Sequence, residues 1–128
     1  MVSCILILTM SAQGKEFHDY IIYDVFRGVP DISSKGMFGG FGIYKSGFIF
    51  AIITSESELY FKGDEALKEK FRKYESHPFI YAGHKNREPI EMPYFSVPEE
   101  IMENKDLLAL WIEDSVEVSR RSKKSKER

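Results

Sequence analysis

Three histidines, two close pairs of carboxylates and a cluster of glycines are the residues of this chain whose types and spacing could do chemistry. His18, His77 and His84 could ligate a metal, but local metal motifs bring their ligands within a turn of one another, and these three are scattered with no cysteine beside them. His18 is expected on the polar face of a helix, His77 ahead of a proline and His84 in a turn. Glu56 with Glu58 and Glu99 with Glu100 could divide acid and base roles if burial separated their pKa values. The first pair falls in a turn and the second at a helix start, where solvation and the helix dipole account for them. Gly39, Gly40 and Gly42 lead into a strand, whereas a phosphate-binding loop leads into a helix N-terminus. No nucleophile elbow is present. The chain is therefore expected to be no enzyme and to hold no metal or cofactor.

The elements that position these residues follow from hydrophobic periodicity. Phe17, Ile21 and Val25 recur at helical spacing, predicting an amphipathic helix from about Lys15 to Arg27, stopped by Gly28 and Pro30. Met37 to Tyr44 alternates large apolar residues with glycine and predicts a bent first strand. After a turn at Lys45-Ser46-Gly47, the run Phe48 to Ile53 reads as a central strand covered on both faces, and Leu59 to Lys62 closes a three-stranded meander. Asp64 is placed to cap a second helix reaching about Glu75, whose charged face from Lys68 to Lys73 reads as solvated. Phe79 to Tyr81 and a run ending near Val97 predict a hairpin turned at Gly83 to Asn86, with Pro89 and Pro93 arguing that its second strand lies at an edge. Pro98-Glu99-Glu100 starts a short helical turn, and Leu108, Trp111, Ile112 and Val116 form the inward stripe of a final helix.

The chain has 128 residues, 43% of them hydrophobic and 14% aromatic, enough for one core. The expected fold class is α+β, a small antiparallel sheet of a meander plus a hairpin, with N-terminal, middle and C-terminal helices. Residues 1–14 read as an extension, 15–118 as the domain and 119–128 as a basic, disordered or fraying tail. A lone cysteine, Cys4, fits a reducing compartment, and the apolar opening is far short of the roughly 18 residues of a membrane span. A cytoplasmic protein is expected.

The last ten residues carry Arg120, Arg121, Lys123, Lys124, Lys126 and Arg128 against Glu127, while the rest of the chain is net acidic. Nucleic acid is thus expected to meet at most the tail, without sequence preference. The aromatic residues Phe38, Phe41, Tyr44, Phe48, Phe50, Tyr60 and Phe61 read as core rather than as a base-stacking platform, with any outward tyrosines marking a partner or a homodimer.

Four ordered segments, Gly36 to Tyr44, Leu59 to Lys62, Pro78 to Tyr81 and Tyr94 to Glu100, resemble the TfoX (Sxy) N-terminal-domain family across about Phe17 to Val116. The resemblance implies a small α/β domain similar in role to a transcriptional co-activator of competence genes, here as a short, single-domain member. Its full-length regulators carry a second, helical domain where this sequence has the basic tail. It supplies no catalytic residues. Met37, Phe38, Gly39, Gly40, Gly42, Tyr44, Tyr60, Lys62, Tyr94 and Pro98 carry it as signatures of the fold. The expected function is a non-enzymatic protein-interaction module whose partner belongs to the transcription machinery. Two alternatives are a small-molecule or enzymatic pocket between the glycine strand and the first helix, holding Tyr44, Lys62 or Tyr94, and a nucleic-acid accessory role for the tail.

Overall fold

The computed structural model of the chain describes residues 10–37, 39–81 and 88–127, with residues 10–13 and 123–127 described by backbone alone. The expected extension at 1–9, Cys4, Phe38, His84 with its turn, and Arg128 lie outside the described residues.

Helix α1, Met10–Tyr20, starts upstream of Lys15 and runs into a π-helical turn at Ile21–Val25, where the Phe26 amide reaches back to the Ile21 carbonyl at 2.8 Å. Gly28, with φ +89°, ends it. Six strands follow: β1 Ile32–Met37, β2 Gly40–Lys45, β3 Phe48–Ile53, β4 Leu59–Lys62, β5 Pro78–Tyr81 and β6 Ile90–Ser96. Helix α2, Glu65–Lys73, lies between β4 and β5; α3, Glu99–Met102, and α4, Lys105–Glu127, follow β6. The sheet is antiparallel in the order β1-β2-β3-β4-β6-β5. The α+β class is as expected, with one strand more than the meander and hairpin require.

That strand is β1, and it changes the reading of the glycine segment. Met37 to Tyr44 is not one bent strand but the junction of two: Met37 pairs with Gly40, and Gly39 between them takes φ +77°. A glycine in a tight turn and a glycine in a kinked strand look alike in sequence. Gly40 is a close-approach site, because a Cβ there would lie 1.9 Å from the Ile53 carbonyl oxygen. At the next hairpin Ser46 and Gly47 both have positive φ, matching the twist of the strands they join.

Cross-strand partners share a face and successive residues alternate. The chain of pairs Ile43–Ala51–Phe61–Phe95 therefore defines one face of the sheet, and Gly42–Ile52–Tyr60–Ser96 defines the other. All four helices pack on the first. Phe26 at the end of α1 meets Phe61 at 6.2 Å between ring centroids, Phe71 of α2 stacks on Phe95 at 4.9 Å, and Trp111 of α4 stands edge-on to Phe71 at 4.9 Å. Ile101 of α3 is fully buried in the same core. Among the described residues no helix packs on the second face.

Two bulges adapt the sheet to this one-sided packing. Ile43 pairs with Ala51 but Tyr44 pairs with Ile49, so Phe50 is the extra residue on β3. The bulge turns Phe50 onto the helix-covered face, where it is fully buried against Phe26 and Phe61. The uninterrupted apolar run of β3 thus reflects a re-aimed side chain rather than a strand covered on both faces. On the other side, Pro78 pairs with Phe95 but Phe79 with Met92, leaving Pro93 and Tyr94 as extra residues on β6. Pro93 does not mark an edge strand. β6 is interior and β5 is the edge, and the missing proline donor is absorbed by the bulge.

Asp64 caps α2 as expected, its Oδ1 accepting from the Leu67 amide at 2.9 Å, and Asn104 caps α4 in the same way. The backbone of α4 runs on through residue 118 to Glu127. Ser119 is buried, the Arg120 guanidinium pairs with Glu117 and sits 5.4 Å from the Phe48 ring, and Arg121 reaches Asp64 at 3.2 Å. The outward carboxylates of α4 are likewise engaged, Glu113 with Lys45 at 3.1 Å and Asp114 with Lys70 at 2.7 Å.

Candidate functional site

The signature residues converge. Met37, Gly40, Gly42, Tyr44, Tyr60, Lys62 and Tyr94 come from β1, β2, β4 and β6, and by register all lie on the helix-free face. Gly42 keeps this face low, since a Cβ there would touch the Met37 thioether at 2.9–3.0 Å. Tyr94 is buried on it, and burial first, then the neighbouring Tyr44, pushes its phenol up to about 12. Gly39 is in the turn. Pro98 is elsewhere: it precedes α3, its carbonyl accepting from the Ile101 amide at 3.0 Å. Of the tail candidates, Arg120 and Arg121 are held against the domain as described. The side chains of Lys123, Lys124 and Lys126 lie outside the described residues.

At one end of this face the β6 bulge brings β5 over the sheet and encloses a groove of about 460 Å³. Ile52 and Tyr60 form its floor, with Met37 on one side and β5 on the other. Phe79 leans over Tyr60 with ring centroids 5.2 Å apart. The β3–β4 turn closes the end with Glu56 and Glu58.

A chain of hydrogen bonds ties this end together. The Tyr60 hydroxyl donates to Glu58 Oε1 at 3.2 Å and lies 3.1 Å from His77 Nε2, while His77 Nδ1 is 3.3 Å from Ser96 Oγ. A phenol has one proton. With that proton given to Glu58, His77 donates through Nε2 and accepts the Ser96 hydroxyl proton at Nδ1. The His77 amide also donates to Ser96 Oγ at 3.0 Å, which fixes the ring at the start of β5. Burial first, then the charge and hydrogen bond of Glu58, pushes the Tyr60 phenol up to about 12, so at neutral pH it stays a donor.

The pocket expected between the glycine strand and α1 is filled instead. The His18 ring lies 4.2 Å from that of Phe41, and His18 Nε2 is 2.8 Å from Ser34 Oγ. Tyr44, Lys62 and Tyr94, proposed for that pocket, lie on the opposite face. Sequence reasoning missed Ile52, Glu58, His77 and Phe79 as a group, because they meet only through pairing across strands. The available signal was the proline in β6 beside a short, wholly apolar β5, which together mark a bulge under an edge. Among the described residues no His, Cys, Asp or Glu cluster has the makings of a metal site, and no helix is long and apolar enough to cross a membrane.

A six-stranded antiparallel sheet with its helices on one face and an aromatic, grooved second face defines the class: a small α+β domain with an open sheet. The model of the TfoX N-terminal domain matches residues 24–119, most of the chain, and the chain belongs to that family. No curated protein matches it.

Proposed function

We propose that this domain is a non-enzymatic protein-interaction module of a gene-regulatory, cytoplasmic system, and that the helix-free sheet face receives its partner. The observation that carries this reading is the placement of Met37, Tyr44, Tyr60, Lys62 and Tyr94 together on that face. Family membership supports a regulatory setting, since the module resembles the first domain of competence regulators. The partner, by that resemblance, belongs to the transcription machinery.

Site-specific photo-crosslinking in the native host tests the proposal. A benzophenone amino acid placed at Tyr44 or Ile49, on the helix-free side, is expected to yield a discrete protein adduct containing a transcription component. The same group at Leu110, exposed on α4, is expected to yield none. Adducts from Leu110 alone, or none from either sheet position, would refute the assignment of the face.

A further inference from the structure

The groove beside β5 states more about its occupant than the open face alone. His77, Pro78, Phe79, Ile80 and Tyr81 line it consecutively. Alternate side chains of a strand point to opposite faces, so consecutive lining by Phe79, Ile80 and Tyr81, past the irregularity at Pro78, has the strand present its edge. That edge is the one turned away from β6, the one strand beside β5 among the described residues. Such an edge offers backbone N–H and C=O groups to an extended chain, Pro78 contributing a carbonyl alone. Ile80 is exposed beside it. The floor is apolar, from Ile52 and Tyr60, with Phe79 leaning over it. The ionisable groups around it are Glu56 and Glu58 of the turn, Tyr60 of β4, His77 just ahead of β5 and Tyr81 of β5, with no lysine or arginine among the described lining residues.

We infer that this groove takes an extended peptide segment of a partner protein, added as a strand to β5, with a large apolar side chain over Ile52, Tyr60 and Phe79 and a lysine or arginine reaching Glu56 and Glu58. Backbone pairing would give affinity and the two ends of the groove would give selectivity. The inference rests on the interaction reading above and names the chemistry of the partner.

A titration of the isotope-labelled full chain, followed by backbone amide NMR, tests it with two acetylated, amidated hexapeptides. One carries phenylalanine and leucine followed by two arginines; the other has glutamates in place of the arginines. The basic peptide is expected to shift the amides of Thr54–Tyr60 and Phe79–Tyr81 saturably. Glu56→Gln with Glu58→Gln should weaken it about three- to tenfold, the effect of two exposed ion pairs, and these surface changes leave the fold in place. Shifts confined to other segments, equal binding of the acidic peptide, or an unchanged affinity in the double variant would each overturn the inference. Concentration-dependent broadening of the same amides without peptide would assign the groove to a second copy and overturn it as well. If these fail while the Tyr44 and Ile49 crosslinks remain, the interaction reading stands without the groove.

Discussion

Replacing Gly40 by alanine tests the packing of the β1–β2 junction most directly. Its φ is not in the left-handed region, so alanine suits the backbone and the cost is purely steric. The added carbon would lie 1.9 Å from the Ile53 carbonyl oxygen and within 3.0 Å of two further backbone carbons. Backbone cannot swing aside as a side chain can, so the end of β2 must move away from β3 by about 1 Å or more. Overpacking of this kind costs about 1–3 kcal/mol, and a disturbed ladder bond at Phe41–Ile53 adds about 1 kcal/mol. Loss of glycine's freedom in the unfolded chain returns about 0.5–1 kcal/mol. The expected net loss is about 2–3 kcal/mol, or roughly 8 °C in Tm for a domain of this size. Urea unfolding followed by the fluorescence of Trp111, the chain's single tryptophan, measures it. Gly42→Ala is the internal comparison, because there the nearest atoms are the flexible end of Met37 at 2.9–3.0 Å. It should cost less than about 1 kcal/mol. A Gly40→Ala protein within about 0.5 kcal/mol of the parent, or a Gly42→Ala protein destabilised as much, would refute the close-approach argument.

Asp64→Ala removes the α2 cap and the partner of Arg121, and should cost about 1–2 kcal/mol, whereas Arg121→Ala should cost no more than about 1 kcal/mol by the same denaturant assay. Ser115 is fully buried with its hydroxyl unpaired among the described residues; Ser115→Ala should raise stability by about 1 kcal/mol, read from the urea midpoint. The Tyr94 phenol ionises near pH 10 in the unfolded chain but at about 12 in the folded one, so between those values the unfolded state binds fewer protons and stability falls as pH rises. The contribution is intact below pH 10. Thermal unfolding across pH 9–12 should show the decline, and Tyr94→Phe should make it shallower, with the Tyr60 phenol supplying the remainder.

Much of the fold was legible where local chemistry decides it. The Asp64 cap, the Ser46-Gly47 turn and the inward stripe of α4 each rest on residues within a few positions of one another, and the family resemblance put the signature residues in order. The misreadings share a cause. Rules for regular strands mislead at Gly39 and Pro93, because both sit at irregularities whose existence depends on a partner strand. The apolar run of β3 could not disclose that Phe50 is turned by a bulge, because the turn shows only against β2. The helix-free face was illegible for a related reason. Alternation tells which residues share a face, but not which face the helices choose. The grouping of Tyr60, His77 and Ser96 crosses α2, and Arg120 and Arg121 find Phe48 and Asp64 from far along the chain.

The β6 bulge has a mechanical consequence. Among the described residues three ladder pairs, Tyr60–Ser96, Phe61–Phe95 and Lys62–Tyr94, flanked by backbone bonds from the Gly63 amide to Pro93 and from the Val97 amide to Leu59, join the first four strands to the last two. Separating the β5–β6 hairpin from the meander therefore means breaking that seam as a unit. What resists is the stack of Phe71 on Phe95, a clasp placed on the far side from the groove. Whatever loosens α2 would therefore unlatch the hairpin, and a strand seated along β5 would be felt at the helices through those three rungs.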